Sequence, residues 1–205
     1  MPARKPAQRA KDRTATVTRT TKEVDVTVTL ALDGTGKSSA KTGIAFFDHM
    51  LEQLGKHAGF DLSVKARGDL DVDAHHTVED TGIAVGEAVA KALGDKSDIR
   101  RFGAATIPLD EALVQVALDL SSRPYLAHDV DAKAKVIGTN YDTRLTEEFL
   151  RAFCQAAGVT IHVRLIAGKN PHHIVEAEFK AVARALGDAV AKVPGRGVPS
   201  TKGTL

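Results

Sequence analysis

The sequence predicts a mixed α/β (α+β) fold of two internally duplicated, ββαββα-like halves related by a pseudo-twofold, with helices packed between two sheets. Three observations predict it. Stretches of apolar–polar alternation are interleaved with stretches of helical period. The order of strands, helix, strand, helix occurs twice. One five-residue pattern also stands at corresponding points of the two copies, as His75-His76-Thr77-Val78-Glu79 and His172-His173-Ile174-Val175-Glu176.

Each element follows from local pattern. Residues 1–13 carry Arg4, Lys5, Arg9, Lys11 and Arg13 without a hydrophobic stretch, which predicts a disordered basic tail and not a secretory signal. From Thr14 to Leu32, Val17, Val24, Val26, Val28, Leu30 and Leu32 alternate with Thr and charged residues, the mark of strands. Asp33-Gly34-Thr35-Gly36 is a turn. Phe46 to Ala58 is a helix capped by Gly59. Phe60 to Ala66 alternates again, Gly68-Asp69 turns, and Leu70-Asp71-Val72 is expected as a short strand. His76 to Leu93 has helical period and stops at Gly94. The style then repeats after Arg101-Phe102-Gly103. Ala112 to Leu120 and Arg123 to Asp129 are strands, Thr146 to Ala157 is a helix ending at Gly158, and Val159 to Ile166 is a strand. Lys169-Asn170-Pro171 turns into a second long helix, His173 to Ala191. Residues 194–205, rich in Gly, Pro, Ser and Thr, form a loop.

Superposing the copies places Gly59 on Gly158, Leu62 on Ile161 and Val64 on Val163. Closing two residues in the following turn then places His75-His76 on His172-His173 and Glu79 on Glu176. A repeat of two makes a pseudo-twofold domain and not a solenoid. The expected organisation is one catalytic domain over 14–193, with halves of about 14–98 and 99–193, and a flexible tail over 194–205.

Bulk properties narrow the function. The 205 residues suffice for one large domain or two small halves. Apolar residues at 43% and charged residues at 26% describe an ordinary globular protein. Aromatics at 4%, with no Trp, argue against a base-stacking nucleic-acid surface. A net charge of +2 calls for neither nucleic acid nor a membrane. The one cysteine, Cys154, cannot form an internal disulfide and sits in an apolar helical pattern, so it is expected as a buried small hydrophobe. No apolar run approaches a membrane span. The expected compartment is the cytoplasm.

His-His-x-x-Glu at a helix start is a metal-ligand spacing. His75 and Glu79 are four apart and His76 and Glu79 three apart, so each pair shares a face. Adjacent histidines point about 100° apart on a helix of 3.6 residues per turn. They do not easily share one ion, so each motif is expected to serve two. His49 opens the shorter helix of the first half, and its counterpart in the second is Glu148. Imidazole and carboxylate donors with open positions suit Mn, Fe, Co or Zn. His57, His128 and His162 have no support from the repeat and are expected to be structural or solvated.

At these residues the chain resembles the imidazoleglycerol-phosphate dehydratase family. The resemblance is carried by residues 43–50 (GIAFFDHM), 73–80 (DAHHTVED), 101–103 (RFG), 108–112 (PLDEA), 122–125 (SRPY), 168–176 (GKNPHHIVE) and 199–203 (PSTKG). It implies a ribosomal protein S5 domain 2-like fold and a lyase of histidine biosynthesis that dehydrates D-erythro-imidazoleglycerol phosphate to imidazole acetol phosphate. It further implies two Mn(II) ions per active site and a homo-oligomer of 24 subunits with sites at subunit contacts. The route implied is a dimetal-stabilised imidazolate that expels the neighbouring hydroxyl to give a diazafulvene-like intermediate.

Helix geometry and the twofold assign His76, Glu79, Glu148 and His172 to one ion and His49, His75, His173 and Glu176 to the other. Glu148 departs from the family pattern, which has a histidine there. With the resemblance, the expected catalytic set is Glu23 as base, with Asp110, Glu176 and Lys180. The resemblance implies phosphate contacts from Arg101, Arg123, Lys180 and Lys202 and a substrate contact from Glu23, and Gln53, Ser200 and Thr201 are expected to join them, with Arg suited to bidentate phosphate geometry. The tail with Ser200, Thr201 and Lys202 is expected to close over substrate. The same donors and cations would also suit a dinuclear phosphoesterase, and the donors alone a metal-storage protein.

Overall fold

The computed structural model describes residues 13–205, so all but the last residue of the basic N-terminal tail lies outside the described residues. The chain runs β1 (Thr14–Thr20), β2 (Val24–Ala31), β3 (Ser38–Lys41), α1 (Ala45–Ala58), β4 (Asp61–Gly68) and α2 (His75–Leu93). The second half runs β5 (Phe102–Leu109), β6 (Ala112–Asp119), β7 (Tyr125–Asp129), a small hairpin β8 (Val136–Ile137) and β9 (Tyr141–Asp142), α3 (Leu145–Ala157), β10 (Thr160–Ala167) and α4 (Pro171–Val190).

The duplication is visible in the sheets. The first has order β1-β2-β4-β3 and the second β5-β6-β10-β7. In both, the first three strands are antiparallel neighbours and the last pairs in parallel. Within each half the third strand precedes the first helix, so the finer order is βββαβα. Ser38–Lys41 escapes sequence reading because its four residues hold no β-branched side chain. Leu70–Val72, expected as a strand, is a turn. The Val72 amide donates to the Asp69 carbonyl at 2.8 Å, and Val72 is 70% exposed.

Alternation puts one apolar row of each strand inward. Val24, Val26, Val28 and Leu30 of β2 are buried, as are Ala112, Val114, Val116 and Leu118 of β6. Helix α2 packs on β1 and β2, and α4 packs on β5 and β6. Contacts of α2 with α3, and of α1 with α4, join the halves, so the helices form a layer between the sheets. An aromatic cluster crosses that layer. Phe149 of α3 lies 5.4 Å from Phe47 of α1 and 5.3 Å from Phe179 of α4, ring centre to ring centre. Cys154 is buried there, and burial pushes its thiol up to about 12.

The close approach of α2 and α3 needs glycine. A Cβ at Gly82 would stand 2.7 Å from the Phe149 carbonyl oxygen, and one at Gly86 2.7 Å from that of Phe153. Both helices that precede a second-layer strand, α1 and α3, end at glycines in the left-handed region, Gly59 (φ 77°) and Gly158 (φ 63°), as the sequence predicts. Among the described residues no helix is long and apolar enough to cross a membrane.

Candidate active site

Both His-His-x-x-Glu motifs begin long helices, and the same device starts each. Two residues before the first histidine stands a side-chain acceptor. The His75 amide donates to Asp73 Oδ1 at 2.7 Å, and the His172 amide donates to Asn170 Oδ1 at 3.0 Å. Asn170 is the cap of α4, whereas Asp73 stands one residue before the cap position of α2, Ala74, and each answers an otherwise orphaned N–H. Pro171 at the first position of α4 suits the same end. Adjacent rings then stand edge to face, with centres 5.9 and 6.1 Å apart. The His75 and His76 rings are inclined at 81°, and those of His172 and His173 at 84°.

Helix pairing gathers the other donors in two groups. Where α1 meets α4, His49 Nε2 lies 3.6 Å and His172 Nε2 3.1 Å from Glu176 Oε2. Lys180 Nζ lies 2.7 Å from Glu176 Oε1, and Gln53 Nε2 3.3 Å from His49 Nε2. Burial alone would raise the Glu176 carboxyl. The Lys180 ammonium, with His49 and His172, more than offsets that and holds it below the ordinary range. Phe46 places its ring 5.0 Å from His172.

Where α2 meets α3, His75 Nε2 lies 3.9 Å from Glu79 Oε2. His75 and Glu148 line one cavity of about 550 Å³ with Asp73, Asn140 and Leu145. Arg151 Nε lies 3.6 Å from Glu148, and Glu147 also pairs with Arg151. The expected partition put His172 with Glu79 and Glu148, and His75 with His49 and Glu176. Within one chain each of these histidines sits in the opposite group, because position i+4 on its own helix brings it to its own glutamate. Among the described residues no three His, Cys, Asp or Glu side chains are arranged to hold an ion. The donors are therefore of the right chemistry for a transition metal, in two incomplete sets.

The second histidines turn to other partners. His76 Nδ1 lies 2.9 Å from Asp69 Oδ2, and the Asp69 carboxylate raises the imidazole above its ordinary value. The Glu23 charge adds to that shift, which places Glu23 within electrostatic reach of His76 from the β1–β2 turn. His173 Nδ1 lies 2.7 Å from Glu111 Oε2, which raises His173 and holds Glu111 down at about 2. Asp110, in the same turn with φ 48°, reaches to 3.7 Å from His173 Nε2.

A separate cationic cavity of about 560 Å³ is lined by Arg101, Arg123, Pro199, Ser200, Thr201 and Lys202, among others. Arg101 donates through Nε and Nη2 to Asp119 at 2.7 and 3.0 Å, and through Nη1 to the Pro199 carbonyl at 2.8 Å. That last bond fastens the tail to the second sheet. Asp98 fastens it again, accepting from the Gly197 amide at 2.7 Å. Arg123 Nη2 lies 3.6 Å from Asp119 and its side chain stays 70% exposed.

His57 is depressed by burial and by Lys180 and Arg184, His162 lies 6.0 Å from the Tyr125 ring, and His128 pairs with buried Glu178 at 2.7 Å. Burial would lower His128, but the Glu178 carboxylate carries it above its usual value. None of the three joins the motifs' donors. Sequence reading missed Asp69, Asp119 and Glu111 as partners. No local pattern marks an acceptor that reaches a ring or guanidinium from another element.

Comparison with known proteins shows the family. Residues 42–186 match the family model described as imidazoleglycerol-phosphate dehydratase. The proteins of that name from Parafrankia sp. and Acidothermus cellulolyticus are each 60% identical, over 94% of this chain and 99% and 93% of their own lengths. The crystal structure of imidazoleglycerol-phosphate dehydratase from Staphylococcus aureus is 38% identical with a TM-score of 0.79, covering 87% of this chain and 99% of that one. The structure from Pyrococcus furiosus is 38% identical with a TM-score of 0.79, covering 92% of this chain and 100% of that one.

Proposed function

This chain belongs to the imidazoleglycerol-phosphate dehydratase family, and from that premise we propose that it converts D-erythro-imidazoleglycerol phosphate to imidazole acetol phosphate in the cytoplasm, as a homo-oligomer using two Mn(II) ions per site. Membership makes the reaction class that of a hydro-lyase of histidine biosynthesis. One observation carries the two-ion reading. Neighbouring motif histidines face different carboxylates, His75 facing Glu79 and His76 Asp69, His172 facing Glu176 and His173 Glu111, so the two rings of a pair address different points.

His49, His75, His76, Glu79, Glu148, His172, His173 and Glu176 would hold the ions. Bound there, the ions would supply Lewis acidity to the imidazole ring of the substrate. Because one chain gathers its donors in incomplete groups, the first histidine of each motif is offered to the group of a neighbouring copy. This supports the sharing of sites among as many as 24 subunits.

The remaining roles fall to this chain's own side chains. Glu23 is the base that takes the proton from the carbon chain of the substrate. It sits in the β1–β2 turn within electrostatic reach of His76, while Gln53 orients substrate beside His49. The ring-adjacent hydroxyl leaves as water and gives a diazafulvene-like intermediate, and loss of the proton then gives an enol that becomes the ketone. Lys180 Nζ, held on Glu176, donates the proton to the leaving hydroxyl, and Asp110 assists beside His173. Arg101, Arg123, Lys202, Ser200 and Thr201 bind the phosphate, and the tail that carries the last three covers it. The assay is incubation of Mn-loaded protein with imidazoleglycerol phosphate. Appearance of the enolisable ketone is the expected result. Release of inorganic phosphate would favour a dinuclear phosphoesterase, and neither product would leave metal storage.

A further inference from the structure

We propose that Asp69 and Glu111 are positioning residues for the second histidine of each motif, each holding Nδ1 so that Nε2 is the nitrogen presented for coordination. The inference rests on the metal reading above. The first and second histidines differ in how they meet carboxylates. His75 and His172 face the glutamate of their own helix through Nε2, at 3.9 and 3.1 Å. His76 and His173 are instead held from outside the helix through Nδ1, at 2.9 Å by Asp69 and 2.7 Å by Glu111.

These two acceptors are not products of the duplication. Asp69 lies in the β4–α2 connection, seven residues before its histidine, whereas Glu111 lies in the β5–β6 turn, far away in sequence. The same contact is thus made at equivalent histidines by carboxylates from non-equivalent places. Both carboxylates are themselves fixed. Glu111 Oε1 accepts from the Asn170 amide at 2.7 Å and the Lys169 amide at 3.2 Å, so one side chain ties the approach of α4 to the ring at its start. Asp69 sits in the turn closed by the Val72 amide on its carbonyl. Its Oδ1 is buried and has no partner among the described residues, so its one side-chain bond is to His76.

The chemistry follows from the tautomer. A carboxylate that accepts from Nδ1–H leaves the Nε2 lone pair free, fixes the ring plane and makes Nε2 a better donor. Asp110 faces His173 Nε2 at 3.7 Å, but its side chain is 73% exposed and free to turn away.

Mn(II) titration of the metal-free protein, followed by the paramagnetic resonance of free Mn(II), tests the inference. The proteins compared are wild type, Asp69→Asn, Glu111→Gln and, as a control, Asp33→Asn, which breaks an ion pair outside both motifs. Roughly 10–100-fold weaker binding is expected in the first two variants and none in the control, at unchanged melting temperature. Wild-type affinity in both variants would overturn the positioning role and leave the metal reading standing. Failure of wild type to bind Mn(II) would overturn the metal reading itself. Should the variants fold poorly, solid-state ¹⁵N spectra of histidine-labelled wild type decide the matter. At a pH well above the imidazole range, His76 and His173 are expected as Nδ1–H tautomers, and Nε2–H tautomers would overturn the proposal.

Discussion

Glu148 is the one proposed ligand where this chain departs from the pattern it otherwise follows, and its surroundings accommodate the carboxylate. Arg151, one turn later on α3, lies 3.6 Å from it, and the cavity it lines also holds His75. An oxygen donor in place of a nitrogen favours Mn(II) over metals that prefer imidazole. Glu148→His is therefore predicted to shift selectivity from Mn(II) toward Zn(II) or Co(II) by roughly tenfold, about 1.4 kcal/mol, in a competition titration. Unchanged selectivity would mean that position 148 does not touch an ion. The eight proposed donors stand out in the sequence because they occupy paired positions of the duplication, His49 opposite Glu148. Asp69 and Asp119 do not, because their partners His76 and Arg101 are identified only by how loops fold back onto helix and strand ends.

Between elements, the site depends on how closely α2 and α3 approach, since that contact sets His75 on one cavity with Glu148. Gly82 permits it, with the Phe149 carbonyl oxygen standing 2.7 Å from where a side chain would begin. Gly82→Val is predicted to force the helices apart at a cost of about 1–3 kcal/mol, read as a fall in melting temperature. An unchanged melting temperature would show that the helices can separate freely. Element type was legible wherever periodicity ran long. The four helices and the central strands β2, β4, β6 and β10 stand near their expected bounds. Short elements were not. Ser38–Lys41 gains its strand character by pairing in parallel with β4, and Leu70–Val72 loses its own to the turn at Asp69. In the first, a tertiary pairing outweighs a weak local preference, and in the second a local turn hydrogen bond outweighs the alternation of a three-residue stretch.

For the whole molecule, two sheets of the same order carry four helices whose ends bring the motifs' donors into two groups, one at α1–α4 and one at α2–α3. The twofold was legible from the aligned motifs, and the sheets repeat it strand for strand. The first histidines meet their own glutamates at position i+4, but which other helix brings His49 or Glu148 to each group is decided by which helix packs on which, and that no local pattern states. The account holds that adjacent histidines serve different ions and that shells are completed by neighbouring copies. Anomalous scattering near the manganese edge, from crystals of the protein grown with Mn(II), tests this most directly. The predicted result is two separate manganese peaks per site, with His75 and His76 on different ions, His172 and His173 on different ions, and donors from more than one copy in each shell. A single peak ligated by both histidines of one pair would contradict it.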